Sequence, residues 1–78
     1  MFQFDRITFD PDILGGKVCI RGMRISAALI VNLVANGMTA KEILAEYPDL
    51  EAADIQQALR YAAWTVEDAV YTPAGVPA

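Results

Sequence analysis

Residues 39–64 read TAKEILAEYPDLEAADIQQALRYAAW. Thr39 stands three residues before Glu42, the spacing of a capping box: the hydroxyl takes the Glu42 N–H and the carboxylate returns to the Thr39 N–H. A helix over 39–47 follows, bearing Ile43, Leu44 and Tyr47. Pro48 ends it, because proline disfavours helical backbone at the residue before it. A third helix begins at Asp49 or at Leu50-Glu51. Its apolar line is Ile55, Leu59, Ala62, Val66 and Ala69, spaced four, three, four, three as one helix face requires. The opposite side shows Gln56, Gln57, Arg60, Tyr61 and Trp64. Two helices across a break this short predict a helix-turn-helix pair.

Upstream, Ser26 is placed to cap a helix running to about Asn36. That segment, AALIVNLVAN, is interrupted only by Asn32 and Asn36. A helix apolar all round is buried all round, and so small a domain cannot surround it unaided. Leu29, Ile30 and Leu33 are therefore the expected dimer interface. Gly37 is a well-placed helix stop. The fold class expected is mainly α, a three-helix bundle preceded by a short N-terminal β-hairpin. Residues 2–9 alternate as a short strand with a slip at Asp5-Arg6, and Asp10-Pro11-Asp12 reads as a turn. Lys17–Arg21 forms a strand with Val18 and Ile20 on its apolar face and Lys17, Cys19 and Arg21 on the other. Gly22 then supplies the positive φ of a tight reversal.

Seventy-eight residues make one domain, 1–70, divided into an N-terminal segment 1–25 and a helical unit 26–70; residues 71–78 read as a flexible tail. Such a chain buries only about 60% of its unfolded surface, so small domains lean on a disulfide, a metal or a partner. Cys19 is the only cysteine and there is no histidine, which excludes an internal disulfide and disfavours a metal site. No cofactor is expected. The remaining support is a partner chain, and 55% hydrophobic residues agree with a homodimer. The N-terminus carries charge where a signal sequence would be apolar, and no apolar run spans a membrane. A cytoplasmic protein is expected.

Catalytic constellations are missing. Asp10 and Asp12 flank a proline as turn residues do. Gly16-Lys17 lacks the earlier glycine and the following Ser or Thr of a phosphate loop. Cys19 has no histidine to activate it. Neither enzyme activity nor a small-molecule substrate is expected, and a binding protein is.

The net charge is −4, yet Lys17, Arg21 and Arg24, half of the six Lys and Arg, cluster within eight residues. Three destinations stay open for them: the phosphates of operator DNA, the acidic metal site of a nuclease partner, or carboxylates of the same chain (Asp5, Asp10, Asp12 or Glu46). On the third helix, Gln56, Gln57 and Arg60 are the candidate base readers, although Glu51 and Asp54 at its start would repel phosphates. Tyr61 and Trp64 are either partner anchors or a cover over the hairpin. Tyr71, just beyond that helix, joins them as a candidate partner contact.

The order of these signals resembles the domain of unknown function 433 family. The residues that carry the likeness are Gly15-Gly16-Lys17, then Ile20-Arg21-Gly22-Met23-Arg24-Ile25, Gly37-Met38-Thr39, Tyr47-Pro48 and Tyr61-Ala62-Ala63, within about residues 7–66. Val18 and Met23 stand where the family usually has Pro and Thr. The resemblance implies a homeodomain-like helix-turn-helix and a VapB-like antitoxin, encoded beside a PIN-like ribonuclease toxin. The toxin would be neutralised by direct contact and operator DNA met by the dimer. The alternative is a stand-alone DNA-binding regulator without a toxin.

Overall fold

A computed structural model describes the backbone of residues 4–69 and the side chains of residues 4–67. Two strands, β1 (Ile7–Phe9) and β2 (Val18–Ile20), precede three helices, α1 (Ala27–Ala35), α2 (Ala40–Glu46) and α3 (Ala52–Ala69). The domain is mainly helical, with an antiparallel two-stranded sheet in the register Ile7↔Ile20, Thr8↔Cys19 and Phe9↔Val18. The tail 71–78 and the start of the expected first strand lie outside the described residues.

The connection from β1 to β2 is set by Asp10, whose Oδ1 accepts the Asp12 N–H at 2.8 Å. This is the Asx turn that fixes an aspartate before a proline. After β2 the chain reverses at Arg21-Gly22, both left-handed (φ 45° and 72°), as the centre of a type I′ turn requires. The Met23 N–H reaches the Ile20 carbonyl at 2.8 Å. The second arm of this reversal is shorter than expected. It consists of the Ile20 N–H to Ile25 carbonyl bond, 3.0 Å, and a single Cys19↔Ser26 bridge; β2 spends its other edge on β1.

The helix boundaries follow their caps. Ser26 Oγ accepts the Leu29 N–H at 3.0 Å, and both halves of the Thr39–Glu42 capping box form, at 3.1 and 2.8 Å. Helix α1 ends in a Schellman motif. The Gly37 N–H bonds to Val34 O and the Met38 N–H to Leu33 O, each at 3.0 Å, with Gly37 at φ 95° where a side chain would be strained. Helix α3 opens on a hydrophobic staple: Leu50 before the cap and Ile55 in the first turn both enter the core.

The core joins Ile7 and Ile20 of the sheet to Ala27 and Ile30 of α1, Ile43 of α2, and Leu50, Ile55 and Ala58 around α3. One expectation is corrected here. Ile30 is wholly buried, so it holds the monomer together and offers nothing to a dimer. Within the single chain, helix α1 is covered only in part: Ala28, Asn32 and Ala35 are exposed, and Leu29, Val31, Leu33 and Val34 are half-buried. The apolar line of α3 divides in the same way, with Ile55 buried and Val66 59% exposed. At 1.5 Å per residue, this 18-residue helix outruns the short helix it packs against.

Candidate functional site

The start of α3 carries the most concentrated chemistry among the described residues. Asp54 has no exposed side-chain surface, and a buried carboxylate survives only if paired and hydrogen-bonded. Arg6, in the turn before β1, donates from Nη1 to Asp54 Oδ1 and to Glu51 Oε1, both at 2.8 Å. Arg21 donates from Nε to Oδ1 at 3.0 Å and from Nη2 to Oδ2 at 2.8 Å, the two-pronged fit that guanidinium and carboxylate geometries share. Its Nη2 also bonds to the Asp49 carbonyl at 2.9 Å. The Glu51 N–H completes the shell at 2.8 Å and caps α3. Burial pushes the Asp54 carboxyl up; the bonds from Arg21, Arg6 and the Glu51 amide outweigh it and hold the group at about 2 against an ordinary 3.8. Both guanidiniums are raised above their usual range, chiefly by the hydrogen bond each makes to Asp54.

Of the destinations open to the basic cluster, Arg21 therefore takes a carboxylate of its own chain, and that carboxylate is Asp54, not one of the four anticipated. Cys19 does not share an exposed basic face with its neighbours either. It is 1% exposed, with its thiol donating to the Lys17 carbonyl at 3.3 Å. Lys17 and Arg24 are exposed, and neither has an ion-pair partner among the described residues.

The candidate base readers separate as well. Gln57 is committed inward: its Oε1 accepts the Arg6 N–H and its Nε2 donates to Asp5 Oδ1 at 2.9 Å. It clamps the turn that presents Arg6. Gln56 and Arg60 are exposed, one helical turn apart on the outer face of α3, beside exposed Ala52 and Ala53.

Tyr61 and Trp64 form one aromatic group with Phe4. The Phe4 and Tyr61 rings meet edge to face at 5.6 Å between centroids, and Trp64 lies 5.9 Å from each. Tyr61 and Phe4 are half-buried, packed against the core, whereas Trp64 keeps 47% of its surface exposed. The residues missed from the sequence are Arg6, Asp54 and Phe4. Their one legible signal was Asp5-Arg6 interrupting an alternating strand, which marked a turn without showing what the arginine reaches. No helix among the described residues is long and apolar enough to cross a membrane.

The model of the family described as "Protein of unknown function (DUF433)" matches residues 7–62. The chain belongs to that family. The match takes in Arg21, Asp54 and Gln57 and stops between Tyr61 and Trp64. A curated relative, the uncharacterized protein y4eO of Sinorhizobium fredii, is 38% identical over 56 residues, which is 72% of this chain and 25% of that protein. The chain thus spans about a quarter of that relative's length. A crystal structure of a DUF433 member from Anabaena variabilis shares the fold at a TM-score of 0.74 and 35% identity, over 81% of this chain and 62% of that one.

Proposed function

We propose that this DUF433 protein acts by contact: it is an antitoxin-like module that binds and silences a protein partner, a PIN-like ribonuclease being the class that the family resemblance implies. The observation that carries the reading is the aromatic group of Phe4, Tyr61 and Trp64. Two rings seat the third against the core and leave Trp64 half exposed. A pre-seated tryptophan loses little conformational freedom on binding, and such residues dominate interface energies at about 2 kcal/mol or more each. The test begins with the tagged full-length protein, which should recover a stable partner from its native cells. Trp64→Ala should then weaken that complex about thirtyfold while the far-ultraviolet circular dichroism of the free protein stays unchanged. Equal affinity of wild type and Trp64→Ala would refute the aromatic anchor.

One observation favours a second reading, a DNA-binding regulator. The acids at the start of α3, which would repel phosphates, are taken up by Arg6 and Arg21, and Gln56 and Arg60 look outward beside two alanines. Under that reading Gln56→Ala and Arg60→Ala relax sequence preference, and Arg24→Ala lowers the salt slope of binding by about one. Recovery of no protein partner, together with salt-sensitive DNA binding by the pure protein, would decide for it.

A further inference from the structure

Between helices α1 and α3 lies an apolar groove of about 480 Å³, which Tyr61 of the aromatic group also lines. Ala28 and Val31 form one wall, Ala62 and Thr65 the other, and Lys17 stands at the rim. Beyond Ala62, on the far flank of α3, a shallower hollow is bordered by Val66 and Glu67. From this arrangement we infer that the groove and the adjoining α3 ridge are a two-fold dimer surface, occupied by a second copy of this chain. Groove and aromatic group share Tyr61, and self-association of the pure chain tells the second copy apart from a foreign partner.

A closed two-fold interface must be self-complementary: each patch has to carry both the feature and its match. This patch does so twice. It holds a hollow, and within one turn of Ala62 it holds a knob: Val66, with 59% of its surface exposed. It also holds a cation on one flank and an anion on the other. Lys17 and Glu67 are both exposed, and neither has an ion-pair partner among the described residues. A two-fold axis through the Ala62–Thr65 stretch carries Val66 of each copy into the groove of the other and brings Lys17 toward Glu67 of the second copy. Helix α1 supplies no charge to oppose the approach, and its small residue on this wall, Ala28, lets the backbones come close. The dimer face thereby lies on the Ala28–Val31 side of α1, away from Ile30.

Sedimentation velocity on the full chain across the micromolar range tests this. The wild type should sediment as a dimer. Val66→Asp should sediment as a monomer with the wild-type circular dichroism spectrum, because an exposed site tolerates the change. Lys17→Glu and Glu67→Lys should each self-associate about tenfold more weakly at low salt, since each faces two like charges across the axis. Mixing these two variants should restore wild-type affinity, because the mixed dimer regains both opposite-charge pairs; a purely structural role for either residue would give no such rescue. A monomeric wild type at high micromolar concentration overturns the inference. So does a Val66→Asp dimer as tight as wild type, and so does a mixture no tighter than its components. A monomeric wild type whose Val66→Asp variant loses a captured foreign partner would assign the groove to that partner instead.

Discussion

Replacing Asp54 with asparagine preserves the volume of the side chain and removes its charge. Arg6 and Arg21 then face a neutral amide, and two guanidiniums stay close together without their shared anion. Breaking one side of a buried ion pair costs about 3–5 kcal/mol. Here the arginine side chains keep 27% and 36% of their surface exposed, so water recovers part of the loss and about 2–3 kcal/mol is expected. A second route agrees: lowering the carboxyl from 3.8 to about 2 corresponds to roughly 2 kcal/mol. Against a total stability of about 4–12 kcal/mol for a chain of this size, that is a large fraction. In urea, with a slope near 1 kcal/mol per molar for a small domain, the midpoint should fall by about 2 M. Far-ultraviolet circular dichroism reads it. The pH dependence has a defined sign. A carboxyl lowered on folding stabilises above its unfolded value, and the gain disappears as pH falls from about 4 to about 2. The wild type should therefore lose its advantage over Asp54→Asn across that window. A variant as stable as wild type at pH 7, or a difference that persists unchanged at pH 2, would refute the reasoning.

Two other perturbations test the local structure. Gly22→Ala meets no atom within 4 Å, so its cost comes from the left-handed backbone alone, about 1 kcal/mol in urea unfolding; a neutral result would remove the type I′ turn from the stabilising features. Thr39→Ala loses the capping box and should cost about 1 kcal/mol, with Thr39→Ser recovering most of it in the same assay.

What was legible in the sequence was local. The Ser26 cap, the Thr39–Glu42 box, the Gly37 stop and the break at Pro48 each rest on residues within a turn of one another, and each formed. What was not legible depends on distance along the chain. Asp54 looked like an ordinary first-turn acid suited to the helix dipole, because its partners stand 33 and 48 positions away. The same blindness left the destination of Arg21 open and made Gln57 look outward. Periodicity named the apolar face of α3 but not how far the rest of the domain reaches along it, so Val66 was grouped with Ile55 although only Ile55 is covered. Ile30 and Leu33 looked equivalent on an almost uniformly apolar helix. Which side faces the sheet is decided by the entry angle at Ser26, which no spacing encodes.

The order in which the chain is made gives the Asp54 cluster a consequence of its own. Arg6 and Arg21 leave the ribosome well before the carboxylate they share, and the Ile7 and Ile20 side chains come out before Ile55 and Ala58. Two short strands without a helix to lie on are barely stable, so the growing chain holds two uncompensated cations and an uncovered sheet until α3 emerges. Small domains fold as units, and this one is closed by α3. A nascent chain arrested ahead of Asp54 should stay protease-sensitive throughout residues 4–53, and residues 4–69 should become resistant in one step once α3 has emerged from the ribosome.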